Sequence, residues 1–118
     1  RVTVNWMFGV DTLPKPAIKT LLNLALIGLD ALVRGGTLDI GAEVRDGNTE
    51  IVVRAAGQRV AFDPTIAQAL EGTLPAGELS SRTAPAAMVH QLAASAGGGV
   101  QVHVTAESLV MGAVLPSA

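Results

Sequence analysis

Leu21-Leu22-Asn23-Leu24-Ala25-Leu26-Ile27-Gly28-Leu29-Asp30-Ala31-Leu32-Val33, closed by Arg34-Gly35-Gly36 and followed by Thr37-Leu38, is the stretch that decides the fold. Its apolar residues recur at helical spacing and nearly encircle the axis, which predicts a helix lying deep between a sheet and another layer. Pro14 and Pro16 suit the first turn of that helix, where a missing N–H is harmless. Arg34 suits the last turn, and Gly35 supplies a left-handed stop. The run from Ala17 to Val33 is interrupted by Lys19, Asn23 and Asp30 and falls short of a membrane-spanning length.

On either side of this helix the period changes from helical to alternating. Val2, Val4 and Trp6 alternate with Thr3 and Asn5, predicting a half-buried strand over residues 1–8, with a turn from Gly9 to Leu13. Leu38, Ile40, Ala42 and Val44 alternate with polar residues up to Arg45, and Asp46-Gly47 signals a hairpin into a returning strand over Thr49–Ala56. Asp63-Pro64 reads as an N-cap and first helical position, opening a short helix to Leu70. A loop over Gly72–Ser81 leads to a helix over Ala84–Ala96, stopped by Gly97-Gly98-Gly99. Strands over Val100–Val104 and Leu109–Leu115 follow. The order β-α-β-β-α-α-β-β predicts an α+β fold, a two-layer sandwich with helices on one face of a mixed, mainly antiparallel sheet.

Composition narrows the chemistry. The 118 residues suit one domain; 49% are apolar, 15% charged and 3% aromatic, with a formal charge of −2. Without cysteine, thiol nucleophiles, disulfides and zinc ribbons are excluded. Two histidines cannot make a His-based metal site unaided. The acidic balance and scarce aromatics give no footprint for nucleic acid. The expected compartment is the cytoplasm, with no membrane partner. Because the chain opens Arg1-Val2-Thr3-Val4, strand-like from the start and without an initiator methionine, further sequence upstream is expected.

The element order, the long helix ending in Arg34-Gly35-Gly36 and the second ending in glycines resemble the ATP-binding fold of histidine kinases, gyrase B and Hsp90. Leu21-Leu22-Asn23-Leu24 with Asp30-Ala31-Leu32 resembles that family's N-box helix, and Met88–Val104 the helix and strand that follow its lid. The resemblance implies a nucleotide site whose positions can be checked one at a time. Asn23 retains the first N-box residue. The metal-binding residue four positions on is Ile27, and a hydrocarbon cannot ligate magnesium. In Val53-Arg54-Ala55-Ala56-Gly57 the glycine remains as Gly57, while the adenine-reading aspartate is replaced by Ala55. The lid sequence Ser81-Arg82-Thr83-Ala84-Pro85-Ala86 lacks glycine for a phosphate cradle. Neither a nucleotide cofactor nor a metal is therefore expected.

A degenerate ATPase-like fold with this Pro-helix entry and Ala-Leu-x-Arg-Gly-Gly exit resembles histidine phosphotransferases of the alphaproteobacterial ChpT type. That resemblance implies a homodimer built by an amino-terminal helical hairpin upstream of Arg1. The hairpin would carry the phosphoacceptor histidine and exchange phosphoryl groups with a hybrid histidine kinase and with response-regulator receiver domains. These residues would then form a docking and positioning domain with no catalytic residue of their own. Two alternatives are an ATP-binding kinase or switch ATPase of the same fold, and a non-catalytic interaction scaffold.

The remaining polar residues have ordinary readings. His90 is expected on the solvent side of its helix and His103 on the wet face of the sheet. Asn23 reads as a buried amide satisfying nearby backbone or loop groups, and Asp30 as a partner of Arg34 one turn on. Gly97-Gly98-Gly99 follows a helix and precedes a strand, so it is a stop and not an anion cradle. Glu43 and Glu50 flank the hairpin as solvated charges. The weakly charged segment from Thr73 to Met88 is a candidate partner surface.

Overall fold

A computed structural model describes residues 1–116. Its strands are β1 (Val2–Phe8), β2 (Gly36–Arg45), β3 (Asn48–Ala56), β4 (Gly99–Val104) and β5 (Ser108–Pro116). Its helices are α1 (Lys15–Ala31), α2 (Pro64–Glu71) and α3 (Ala84–Ser95), with a 3-10 turn at Ala76–Glu78. The strands form one sheet in the order β1-β2-β3-β5-β4. β1 runs parallel to β2, and every other neighbouring pair is antiparallel. The parallel pair is joined through α1, because a parallel return needs a crossover where an antiparallel one needs only a turn. The β2–β3 turn shows the alternative: Asp46 and Gly47 both have positive φ, 53° and 78°, the pair of angles a two-residue hairpin requires.

All three helices lie on one side of the sheet. α1 packs on β2, β3 and β5, α3 flanks α1, and α2 packs on α3 and β4. The core between the layers holds Leu24, Leu38, Ile40, Ile51, Val53, Leu70, Val89, Leu109 and Met111, all essentially inaccessible. The opposite face mixes exposed Met7, Val52 and Val114 with polar pairs: Asn5 donates to Asp39 at 2.8 Å, Arg54 lies 3.8 Å from Asp39, and Arg45 pairs with Glu43. The alternation read from Thr37 to Arg45 therefore sorts the two faces as expected.

Four expectations need correction. β1 is not half-buried: it is an edge strand, and only Val2 is partly covered. α1 is not enclosed all round, since Ile18, Leu22, Leu26 and Leu29 form an exposed stripe along it. It also stops at Ala31 instead of Val33, with Leu32 as C-cap. Gly35 (φ 82°) and Gly36 (φ 135°) then turn the chain so tightly that a Cβ on Gly36 would sit 2.2 Å from the Ala56 carbonyl oxygen. With the helix ended, Arg34 no longer stacks one turn above Asp30, and the described residues contain no Asp30–Arg34 ion pair.

Candidate functional site

The positions singled out on α1 and at the end of β3 do not converge on one cavity. Ile27 is 4% exposed and belongs to the core. Ala55 is fully buried, paired in register with Leu38 on one side and Leu109 on the other. A methyl group there offers a base no acceptor. Asn23 is half-buried, and its amide Nδ2 donates 2.7 Å back to the Lys19 carbonyl oxygen on the same helix. The amide thus satisfies a nearby backbone group as expected, but it is half-buried and does so through a local i to i−4 bond. Gly57 lies at the chain crossing, where its N–H donates 3.0 Å to the Glu107 carbonyl oxygen and an added Cβ would approach the Gly35 carbonyl oxygen to 2.7 Å. Its missing side chain is accounted for by backbone packing.

The helix is set close to the sheet at this point. A Cβ on Gly28 would meet Leu38 Cδ1 at 2.6 Å and Val53 Cγ1 at 3.2 Å. What remains open is a cleft of about 230 Å³ bordered by Ile27, Asp30, Phe62, Asp63, Ile66 and Arg82. That is smaller than the roughly 300 Å³ at which sites for drug-sized ligands begin. Asp63, the N-cap of α2, accepts the Thr65 backbone N–H at 2.9 Å and the Thr65 hydroxyl at 2.8 Å. Those two bonds, with a smaller contribution from the Arg82 charge, hold its carboxyl below the usual range. Asp63 was legible as a cap from Asp63-Pro64; its neighbourhood with Arg82, across the intervening α2 and loop, was not.

These donors do not fit a magnesium–nucleotide complex. Magnesium needs oxygen ligands, and the metal position presents a buried isoleucine. The base-reading position presents a buried alanine, and the one retained amide is spent on its own helix. Among the described residues no cluster of three or more metal-binding side chains occurs.

The histidines lie apart from this region. His103 is exposed on the outer face of β4, as expected. His90 is not simply solvent-facing. It is half-buried, and its ring packs against Gly72, the left-handed C-cap of α2, so closely that a Cβ there would lie 2.3 Å from His90 Cε1. In the segment expected to be a partner surface, Leu79 and Met88 are exposed.

A mixed sheet of this order under a single layer of helices is the ATP-binding architecture of histidine kinases. The catalytic domain of the histidine kinase ThkA superposes with a TM-score of 0.71 over 98% of this chain and 78% of its own, at 11% identity. The histidine kinase domain of an Erythrobacter litoralis blue-light activated kinase gives 0.70 over 98% and 51%, at 14% identity. Identities that low establish the fold alone. Residues 1–108 match the family model of the histidine phosphotransferase C-terminal domain, and the chain belongs to that family. It is 32% identical over 108 residues to protein phosphotransferase ChpT of Brucella abortus (strain 2308), a match covering 92% of this chain and 52% of that protein. A solved bacterial phosphotransferase superposes with a TM-score of 0.82 at 29% identity, over 96% of this chain and 55% of its own. The chain thus spans about half the length of the relatives it matches.

Proposed function

We propose that this chain is the carboxy-terminal, non-kinase domain of a histidine phosphotransferase that relays phosphoryl groups between response-regulator receivers. The observation that carries the reading is a family match coupled to a buried Ile27 and a buried Ala55 at the positions where an ATPase of this fold would keep its ligands. The phosphoacceptor histidine then lies in an amino-terminal helical hairpin of the full-length protein, which also builds a homodimer in the cytoplasm. In each transfer a receiver aspartyl-phosphate loses its P–O bond as an imidazole nitrogen forms a P–N bond and gives its proton to solvent. The next receiver's aspartate reverses the exchange. The domain contributes by holding a receiver so that aspartate, phosphorus and imidazole stand in line, the geometry on which phosphoryl transfer depends. Receivers and a hybrid histidine kinase are the partners this requires. No helix among the described residues is long and apolar enough to cross a membrane.

The test is calorimetric titration of the domain with magnesium–ATP, together with transfer assays on the full-length protein. The reading expects no saturable nucleotide binding, and loss of transfer to a receiver when the domain is deleted. Micromolar ATP binding abolished by Asn23→Ala would favour the kinase alternative, and unimpaired transfer without the domain would favour a scaffold.

A further inference from the structure

The helix layer leaves one edge of the sheet bare. In the parallel register Val4 pairs with Leu38, Trp6 with Ile40 and Phe8 with Ala42. Leu38, Ile40 and Ala42 are core residues, so Val4, Trp6 and Phe8 extend the same helix-side face outward. The principal helix–sheet contacts fall on β2, β3, β4 and β5, not β1. Trp6 is 57% exposed, and its ring meets Phe8 edge-on with centroids 5.5 Å apart.

α1 adds a second wall. With 100° between successive residues, Ile27 faces the Phe62 and Ile66 side and Gly28 faces the sheet. Continuing round the helix in the same sense reaches Ala25, then Ile18, Leu29, Leu22 and Leu26. The exposed stripe therefore lies on the side of α1 away from α2, starting on the β1 side at Ile18 and turning outward from the sheet at Leu26. Leu22 and Leu26 are each 53% exposed. From Ile18 to Leu29 the stripe is about 17 Å long, three turns of helix. With Val4, Trp6 and Phe8 it presents on the order of 600 Å² of apolar surface, at the top of the roughly 300–600 Å² range of the largest patch on an ordinary monomer.

We propose that an amphipathic helix from the amino-terminal half of the full-length protein seats on this face, between α1 and the helix side of β1, and completes the helix layer. The inference rests on the reading of the chain as a carboxy-terminal domain. This chain matches a C-terminal-domain model and covers only 52% and 55% of two relatives, which leaves about half of each relative's length outside the match. A sheet that is apolar on one face buries that face against another element, and here the strand left bare carries the aromatic pair. The occupant's chemistry follows: leucine-like residues at i, i+3, i+4 and i+7 toward the groove, and a polar outer side.

The chain contains no cysteine, which makes single-cysteine labelling a clean probe. Leu22→Cys is placed on the stripe, and Met7→Cys on the opposite face of β1 as a control, in both the 118-residue chain and the full-length protein. Maleimide modification at each site is followed by peptide mass spectrometry. Modification of Leu22→Cys is expected to slow at least tenfold in the full-length protein, with Met7→Cys unchanged. Equal rates at Leu22→Cys in both proteins overturn the proposal. Protection in the 118-residue chain that grows with its concentration also overturns it, by assigning the face to a second copy. Phosphotransfer measured on the same samples separates the two failures. Transfer without protection defeats this inference alone; protection without transfer defeats the functional reading alone.

Discussion

Replacing Ile27 with asparagine restores the residue type that an ATPase of this fold would use to hold magnesium, and puts an amide where the structure has core. Ile27 is 4% exposed and packs beneath α1 beside Phe62 and Ile66. Losing most of a buried isoleucine side chain costs about 2–5 kcal/mol, and an amide without a partner adds about 1–3 kcal/mol. The adjoining cleft offers the amide some water, which argues for the lower part of the combined range, about 3–5 kcal/mol. An unfolding entropy of about 2.1 cal/mol/K per residue makes each kcal/mol worth about 4 °C in a domain of this size. Thermal melting followed by circular dichroism should therefore fall by about 12–20 °C, while Ile27→Val should fall by no more than about 6 °C. Calorimetry on the folded variant should still detect no magnesium–ATP binding, because Ala55 remains. An asparagine variant that melts within 2 °C of the parent and binds nucleotide would show position 27 to be a ligand site, and the packing argument would be wrong.

Gly28→Ala gains about 1 kcal/mol of helix propensity, but its methyl would meet Leu38 and Val53, both locked in the core, at 2.6 and 3.2 Å. Overpacking of about 1–3 kcal/mol should outweigh that gain, so a chemical denaturation midpoint should fall; a rise would mean the helix can lift off the sheet. Gly36→Ala should destabilise far more than Gly47→Ala, since both have positive φ but only Gly36 faces backbone at 2.2 Å; denaturant midpoints measured side by side decide it. Asp63→Ala removes the α2 cap and should lower the melting temperature at neutral pH. Because the folded carboxyl titrates below its ordinary value of 3.8, the cap's stabilisation is present above that value and fades as pH falls through the lower folded value. The gap between the two melting curves should close on acidification, and a gap that persists would assign the effect to packing.

Much of the fold was readable because neighbouring signals agreed. The Asp46-Gly47 turn, the alternation from Leu38 to Val44, the Asp63-Pro64 helix start and the Gly97 stop each act over a few residues, and each lies where it was expected. What failed depended on distant parts. The stripe from Ile18 to Leu29 reads as core by hydrophobicity, and only the arrangement of the other helices reveals that nothing covers it. The same is true of Val4 and Trp6, whose alternation implied burial that an edge strand does not receive. Local chemistry also misled at His90, whose neighbour Gly72 belongs to another element. At the candidate site, identities sufficed to see that Ile27 and Ala55 lack ligand atoms. Their burial, which makes the loss a feature of the core, came only from the structure.

The decisive measurement is phosphoryl transfer to the full-length protein from a receiver domain carrying labelled aspartyl-phosphate, in buffer freed of nucleotide. The account predicts that label moves to a histidine of the amino-terminal half and onward to a second receiver, and that labelled ATP alone leaves the protein unlabelled. Label entering from ATP, or no transfer from the phosphorylated receiver, would contradict it.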